Sequence, residues 1–206
     1  MSQIVLTTDT LGTTTAGALE YASPVIYGTP VGNQRGVIPN AQFFRLDADL
    51  AGANVNTVQS VFNVSVSLSA STVYAFEGNY LFSKTVGTTN HSIGVGFGGT
   101  ATITTIGYNA SGSVGTTNPT TSANYGDLIG IVVTPTAVTG VVTGAATLRS
   151  AIRLKGTVSI NAAGTFTPQY ILSAAPGGAY STVAGSYFLI YPIGASGSNV
   201  NVGTWA

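Results

Sequence analysis

The chain has 206 residues, no cysteine, one histidine and only 6% charged residues, and its six basic and six acidic groups cancel to a net charge of zero. This composition excludes disulfides, cysteine-ligated metals and thiol catalysis. It also leaves no basic field that would hold nucleic acid or an anionic membrane as a partner.

Low charge does not imply disorder here. Disordered chains combine few apolar residues with high net charge, whereas this one is 44% hydrophobic with a mean hydropathy of +0.38. Its polar positions are filled mostly by Thr, Ser, Asn and Gly, the residues of turns and solvated strand faces. Strong helix formers such as Glu, Lys, Gln and Met are scarce. The composition predicts an all-β protein, and the length fits one domain plus an arm.

Residues 1–40 read as an extended N-terminal arm. Met1–Leu6 has neither the basic flank nor the apolar core of an export signal. Pro24, Pro30 and Pro39 punctuate the segment, and Gly12, Gly17, Gly28, Gly32 and Gly36 interrupt it. Proline blocks ladder pairing and favours extended chain, so short strands at most are expected, lying on another surface. Tyr21, Tyr27 and Arg35 are the candidate anchors, because Tyr and Arg most often dominate interface energetics. Arg35 is the only basic residue of the first 40, and its guanidinium can grip a carboxylate through two parallel bonds.

From residue 41 to 206 the sequence predicts a β-sandwich or jelly roll, closed by a C-terminal tail at 194–206. Period-two alternation marks the strands. Val64, Val66 and Leu68 share a face, as do Tyr74, Phe76, Tyr80 and Phe82, with Glu77 and Asn79 on the opposite side of that run. Ile93, Val95 and Phe97 alternate with glycines. An uncharged stretch from Leu128 to Leu148 is long enough to cross a bilayer. Its glycines, Pro135 and many Thr and Val residues predict two strands instead, 128–134 and 137–143, joined by a turn. The clearest pattern sets Leu148, Ile152, Leu154, Val158 and Ile160 toward the core and Arg149, Arg153 and Lys155 outward. Phe166, Tyr170 and Leu172 follow, and Tyr187–Tyr191 is the last run.

Chemistry-bearing motifs are few. Gly94–Gly99 matches a dinucleotide-binding string, but a strand pattern follows it where that fold needs a helix. Asp47 and Asp49 have the spacing of paired carboxylates on one strand face, without a Trp or His cluster nearby to make a sugar-cleaving site. A lone His91 cannot supply the ligands of a zinc centre. No catalytic residues, metal or cofactor are therefore expected. The one charge cluster, Arg149, Arg153 and Lys155, holds half of the basic residues on one strand face. It reads either as a solvated sheet face or as a docking strip for an acidic partner.

Three segments are familiar as a set. They are Ala16–Tyr21 running through Tyr27–Pro30 to Arg35–Pro39, then Ala162–Tyr170 with Ala174–Gly178, and finally Ala184–Gly197 continuing to Val202–Ala206. Together they resemble a terminal module of tailed-phage virion proteins. Ala22 stands where such proteins often carry Asp. The resemblance implies a non-enzymatic virion structural protein, a homotrimer. Tail fibres carry a long N-terminal shaft with repeats, which this chain lacks. The expectation is therefore a capsid cement, or decoration, protein on the outer capsid surface with the major capsid protein as partner. The alternative is a tail-fibre or head-fibre subunit with a receptor or carbohydrate-binding role.

Overall fold

A computed structural model describes residues 4–116, 125–135, 137–142 and 147–205. Met1–Gln3 of the expected arm, Thr143 of the second expected strand after Leu128 and Ala206 of the tail lie outside the described residues. Among the described residues there is no helix, and the fold is all-β.

The N-terminal segment forms a small antiparallel sheet of β1 (Ala18–Ala22), β2 (Val25–Thr29) and β3 (Gly36–Ile38), in that order. Pro24 sits in the β1–β2 turn, and Pro30 and Gly32 sit in the β2–β3 loop. The breaks in the sequence pattern are thus turns between paired strands, not signs of unpaired chain. The register sets Leu19 opposite Gly28, Tyr21 opposite Ile26, and Ile26 opposite Ile38. These residues share one face. Glu20, Val25, Tyr27 and Thr29 lie on the other, where Val25, Tyr27 and Thr29 are buried.

The remaining strands build two sheets. The larger runs β11 (Tyr125–Val132), β10 (Thr102–Thr116), β13 (Leu148–Ala162), β8 (Thr72–Lys84), β15 (Ser181–Thr182) and β5 (Leu50–Ala51). Beyond β15, β8 also pairs with β16 (Tyr187–Ala195), which in turn pairs with β4 (Gln42–Arg45). The smaller sheet runs β12 (Val138–Val142), β9 (His91–Gly98), β14 (Gly164–Leu172) and β6 (Gln59–Ser60), with β7 (Val66–Leu68) also on β14. β11 and β12 are the two strands expected in the uncharged stretch, and between them the chain crosses from the larger sheet to the smaller. The N-terminal sheet approaches the sandwich where β2 meets β16.

Buried side chains of both sheets meet in one core, making a β-sandwich. The alternation expected of β8 and β13 places Tyr74, Phe76, Tyr80 and Phe82 with Leu148, Ile152, Leu154, Val158 and Ile160 inside. An aromatic cluster fills the centre. Phe97 stacks on Phe166 with ring centroids 4.5 Å apart and meets Phe76 edge-on at 4.9 Å. Such pairs stabilise beyond their area by about 0.5–1.5 kcal/mol each.

Glycine permits two close approaches. A side chain at Gly96 would strike the Pro135 carbonyl, and one at Gly94 would strike Thr139 and Ala137. The glycine-rich string is therefore a strand lying under the β11–β12 connection.

Candidate interaction surfaces

The six candidate residues fall on two separate surfaces. Tyr21, Tyr27 and Arg35 belong to the N-terminal sheet. Arg149, Arg153 and Lys155 lie on the outer face of β13, and all three are exposed.

Within the N-terminal sheet the three anchors divide. Tyr27 is buried on β2, directly opposite Glu20 on β1. Burial raises its phenol above the ordinary value, and the nearby Arg35 charge works against that rise. Arg35 donates from Nε to Glu20 Oε2 at 2.8 Å and from Nη2 to the Gly12 carbonyl at 2.7 Å. Glu20 Oε1 accepts from the Gly12 N–H at 2.9 Å. The carboxylate that Arg35 grips is thus in its own chain, and the pair ties the stretch before β1 to the β2–β3 loop. Tyr21 is on the opposite, open face. It lies among Leu19, Ile26 and Ile38, of which Leu19 is 54% and Ile38 42% exposed.

On the larger sheet, register aligns residues of four strands into two rows. Ser111, Arg153, Asn79 and Tyr187 form one row, which continues to Arg45 on β4. Asn109, Lys155, Glu77 and Leu189 form the next, which continues to Phe43. Directly opposed residues in neighbouring strands have Cβ atoms about 4.5–5.5 Å apart, so the rows make one contiguous surface. A depression of about 270 Å³ opens between them, lined by Glu77, Asn109, Ser111, Arg153, Lys155 and Tyr187. The Tyr187 ring stacks on Phe43 at 5.6 Å and an interplanar angle of 25°, which fixes it as one wall.

The cationic half of this surface is legible in the sequence. Alternation also set Glu77 and Asn79 on one strand face, but nothing in the sequence showed that β8 pairs with β13. Nothing in the sequence placed Asn109, Ser111 and Tyr187 beside these cations.

The other candidate motifs sit in local contacts. Asp47 pairs with Arg45 at 2.9 Å on the surface, and Asp49 Oδ1 accepts from the Ala184 N–H at 2.8 Å. His91 is buried at the start of β9. Its Nδ1 lies 2.8 Å from the Thr89 carbonyl and its Nε2 2.9 Å from the Tyr180 hydroxyl. Among the described residues there is no group of three or more metal-ligating side chains.

A second apolar feature lies at the sandwich edge. β4 pairs only with β16 among the described residues, so its other edge is open. Phe44 is 39% exposed there and meets Phe62 edge-on at 5.5 Å. Phe44, Phe62, Val64, Pro168, Phe188 and Ile190 are among the residues lining a groove of about 330 Å³ between β4 and the segment leading into β7.

Comparison of the chain with protein-family models, with curated proteins and with solved structures finds no match.

Proposed function

We propose that this chain is a structural protein of a tailed-phage virion, a capsid cement protein that sits as a homotrimer on the major capsid protein at the outer capsid surface. The observation that carries the reading is the open apolar face of the N-terminal sheet. Leu19, Tyr21, Ile26 and Ile38 lie together on a unit outside the sandwich core, while its other face is buried and braced by the Glu20–Arg35 pair. An apolar, charge-free face suits a protein too poor in charge to build an interface from ion pairs, and apolar contact persists at salt concentrations that screen exposed ions. The three segments that resemble phage virion proteins include this sheet and the last strand of the sandwich.

Trimer contacts fit the open edge of β4. An unpaired strand edge bordered by aromatic side chains is a template for another chain. A head-to-tail contact that closes after three copies satisfies each edge once. Three weak capsid contacts per trimer then act together through effective concentration.

The test is the binding of purified protein to capsids stripped of it, with its mass in solution measured by light scattering. The expected result is a trimer that persists at about 1 M salt and saturates the capsid surface. Deletion of residues 1–40 leaves the sandwich folded and abolishes capsid binding. A monomer at micromolar concentration, or a virion map placing the protein on the tail, overturns the proposal.

A further inference from the structure

We propose that the depression between β8, β10, β13 and β16 is a binding site for an acidic saccharide, one sugar ring that carries a carboxylate.

Among the described residues, Glu77, Arg149, Arg153 and Lys155 form no ion pair or side-chain hydrogen bond within the chain. Every other charged side chain described has one: Asp9, Glu20, Arg35, Arg45, Asp47, Asp49 and Lys84. Among the described residues, charges are therefore satisfied everywhere except on this one face. Glu77 and Lys155 are directly opposite in register, carry opposite charges, and still do not meet. Among the described residues, the Asn109 and Ser111 side chains and the Tyr187 hydroxyl likewise make no hydrogen bond.

The depression also brings cations, a carboxylate and an aromatic ring together. Arg153 presents a planar fork that matches a carboxylate, and Lys155 adds a point charge beside it. Arg149 lies further along the same strand face and adds to the local positive potential. The Glu77 carboxylate accepts hydrogen bonds and opposes a bare anion. A ligand that suits all three must bring an anionic group to the cations and hydroxyl donors to Glu77. Asn109 and Ser111 serve as both donors and acceptors for further hydroxyls. The Tyr187 ring, held by Phe43, offers a flat apolar wall to the C–H face of a pyranose. The space, about 270 Å³, lies below the roughly 300–1,000 Å³ of pockets for drug-sized ligands, which suits a single ring. An acidic peptide satisfies the cations but leaves the carboxylate opposed and the ring wall unused.

This site is independent of the capsid reading, because it lies on the sandwich and uses none of the N-terminal sheet. The experiment titrates the full-length protein by calorimetry with galacturonic acid, with trigalacturonate, with the neutral galactose equivalents and with an oligo-aspartate peptide. The expected result is saturable binding of the acidic sugars at about millimolar Kd, with the neutral sugars at least about tenfold weaker. Arg153→Ala and Lys155→Ala each weaken galacturonate binding about tenfold, roughly the loss of one charge-assisted bond. Thermal melting of these variants stays unchanged because the residues are exposed.

The decisive variant is Glu77→Ala. It weakens binding if Glu77 holds sugar hydroxyls, and it tightens binding if the site attracts only negative charge. Tighter binding in Glu77→Ala, equal or better binding of oligo-aspartate, or no saturable binding of either acidic sugar up to about 50 mM overturns the proposal.

Discussion

Arg35 and Glu20 form the one partly buried ion pair among the described residues, with Nη2 to Oε2 at 2.8 Å and side chains 14% and 19% exposed. The pair joins the loop before β3 to the middle of β1. It holds together a sheet of 3–5-residue strands that is too small to be stable on hydrogen bonding alone.

Removing one partner should therefore loosen the N-terminal sheet selectively. Arg35→Ala leaves the Glu20 carboxylate without its ion-pair partner and the Gly12 carbonyl without its guanidinium donor. The expected loss is about 1–2 kcal/mol, discounted from the fully buried case for solvent access. Arg35→Lys restores the charge but not the fork, and should recover only part of the loss. Hydrogen exchange should show faster exchange in residues 18–38, with β8 and β13 unaffected.

Tyr21 and Tyr27 should separate in a capsid-binding assay. Tyr21→Ala removes a side chain from the open apolar face and should lower capsid occupancy by about tenfold or more, the loss typical of a hot-spot residue, with the trimer intact. Tyr27→Phe retains the buried ring and should bind like the parent protein. Equal occupancy for Tyr21→Ala and the parent would move the contact away from this face.

Gly78 sits in the middle of β8, pointing inward between the rings of Tyr80 and Phe188. A Cβ there would lie 2.9 Å from one ring and 3.2 Å from the other. Tyr80 is fully buried and cannot swing aside. Gly78→Ala should destabilise the sandwich by about 1–3 kcal/mol through overpacking, read as a lower denaturant midpoint. The usual small gain from replacing a strand glycine should not be seen.

His91 should make stability depend on pH. Burial lowers its pKa below the ordinary 6.5, the hydrogen bond to the Thr89 carbonyl opposes that shift, and the Lys84 charge adds to it. Lys84 is itself lowered by burial, and Tyr180, which bonds to the imidazole, is held neutral by burial. The folded state therefore binds a proton at His91 less readily than the unfolded chain does. Stability is full above 6.5 and falls as pH drops below it, until the folded-state pKa is passed. Thermal melts between about pH 8 and pH 5 should show this decline, and His91→Gln should flatten it.

Phe44→Ser should disrupt self-association. The side chain lies at the open edge of β4, and a hydroxymethyl group neither fills the groove nor contacts Phe62. The expected result is a shift from trimer toward monomer in sedimentation at micromolar concentration, with the monomer still folded. A trimer unchanged in this variant would place the contact elsewhere.

Much of the sandwich is legible in the sequence, because each long strand has one dry and one wet face and side chains alternate with period two. Tyr74, Phe76, Tyr80 and Phe82 on β8, and Leu148, Ile152, Leu154, Val158 and Ile160 on β13, declare their orientation without any partner in view. The outward direction of Arg149, Arg153 and Lys155 follows from the same count.

Alternation assigns faces but carries no information on which strand lies beside which. That β8 lies against β13, so that Glu77 and Asn79 stand beside Lys155 and Arg153, was decided only by the tertiary structure, because pairing between distant strands depends on how the whole core packs. The same holds for β11 and β12, which have strand character in sequence but end in different sheets. The N-terminal sheet escaped the pattern for another reason. Strands of 3–5 residues are too short to show a period, and the prolines that look like breaks are the turns between them. Arg35 showed its capacity to grip a carboxylate in the sequence, but only the fold determined that Glu20 is the carboxylate it grips.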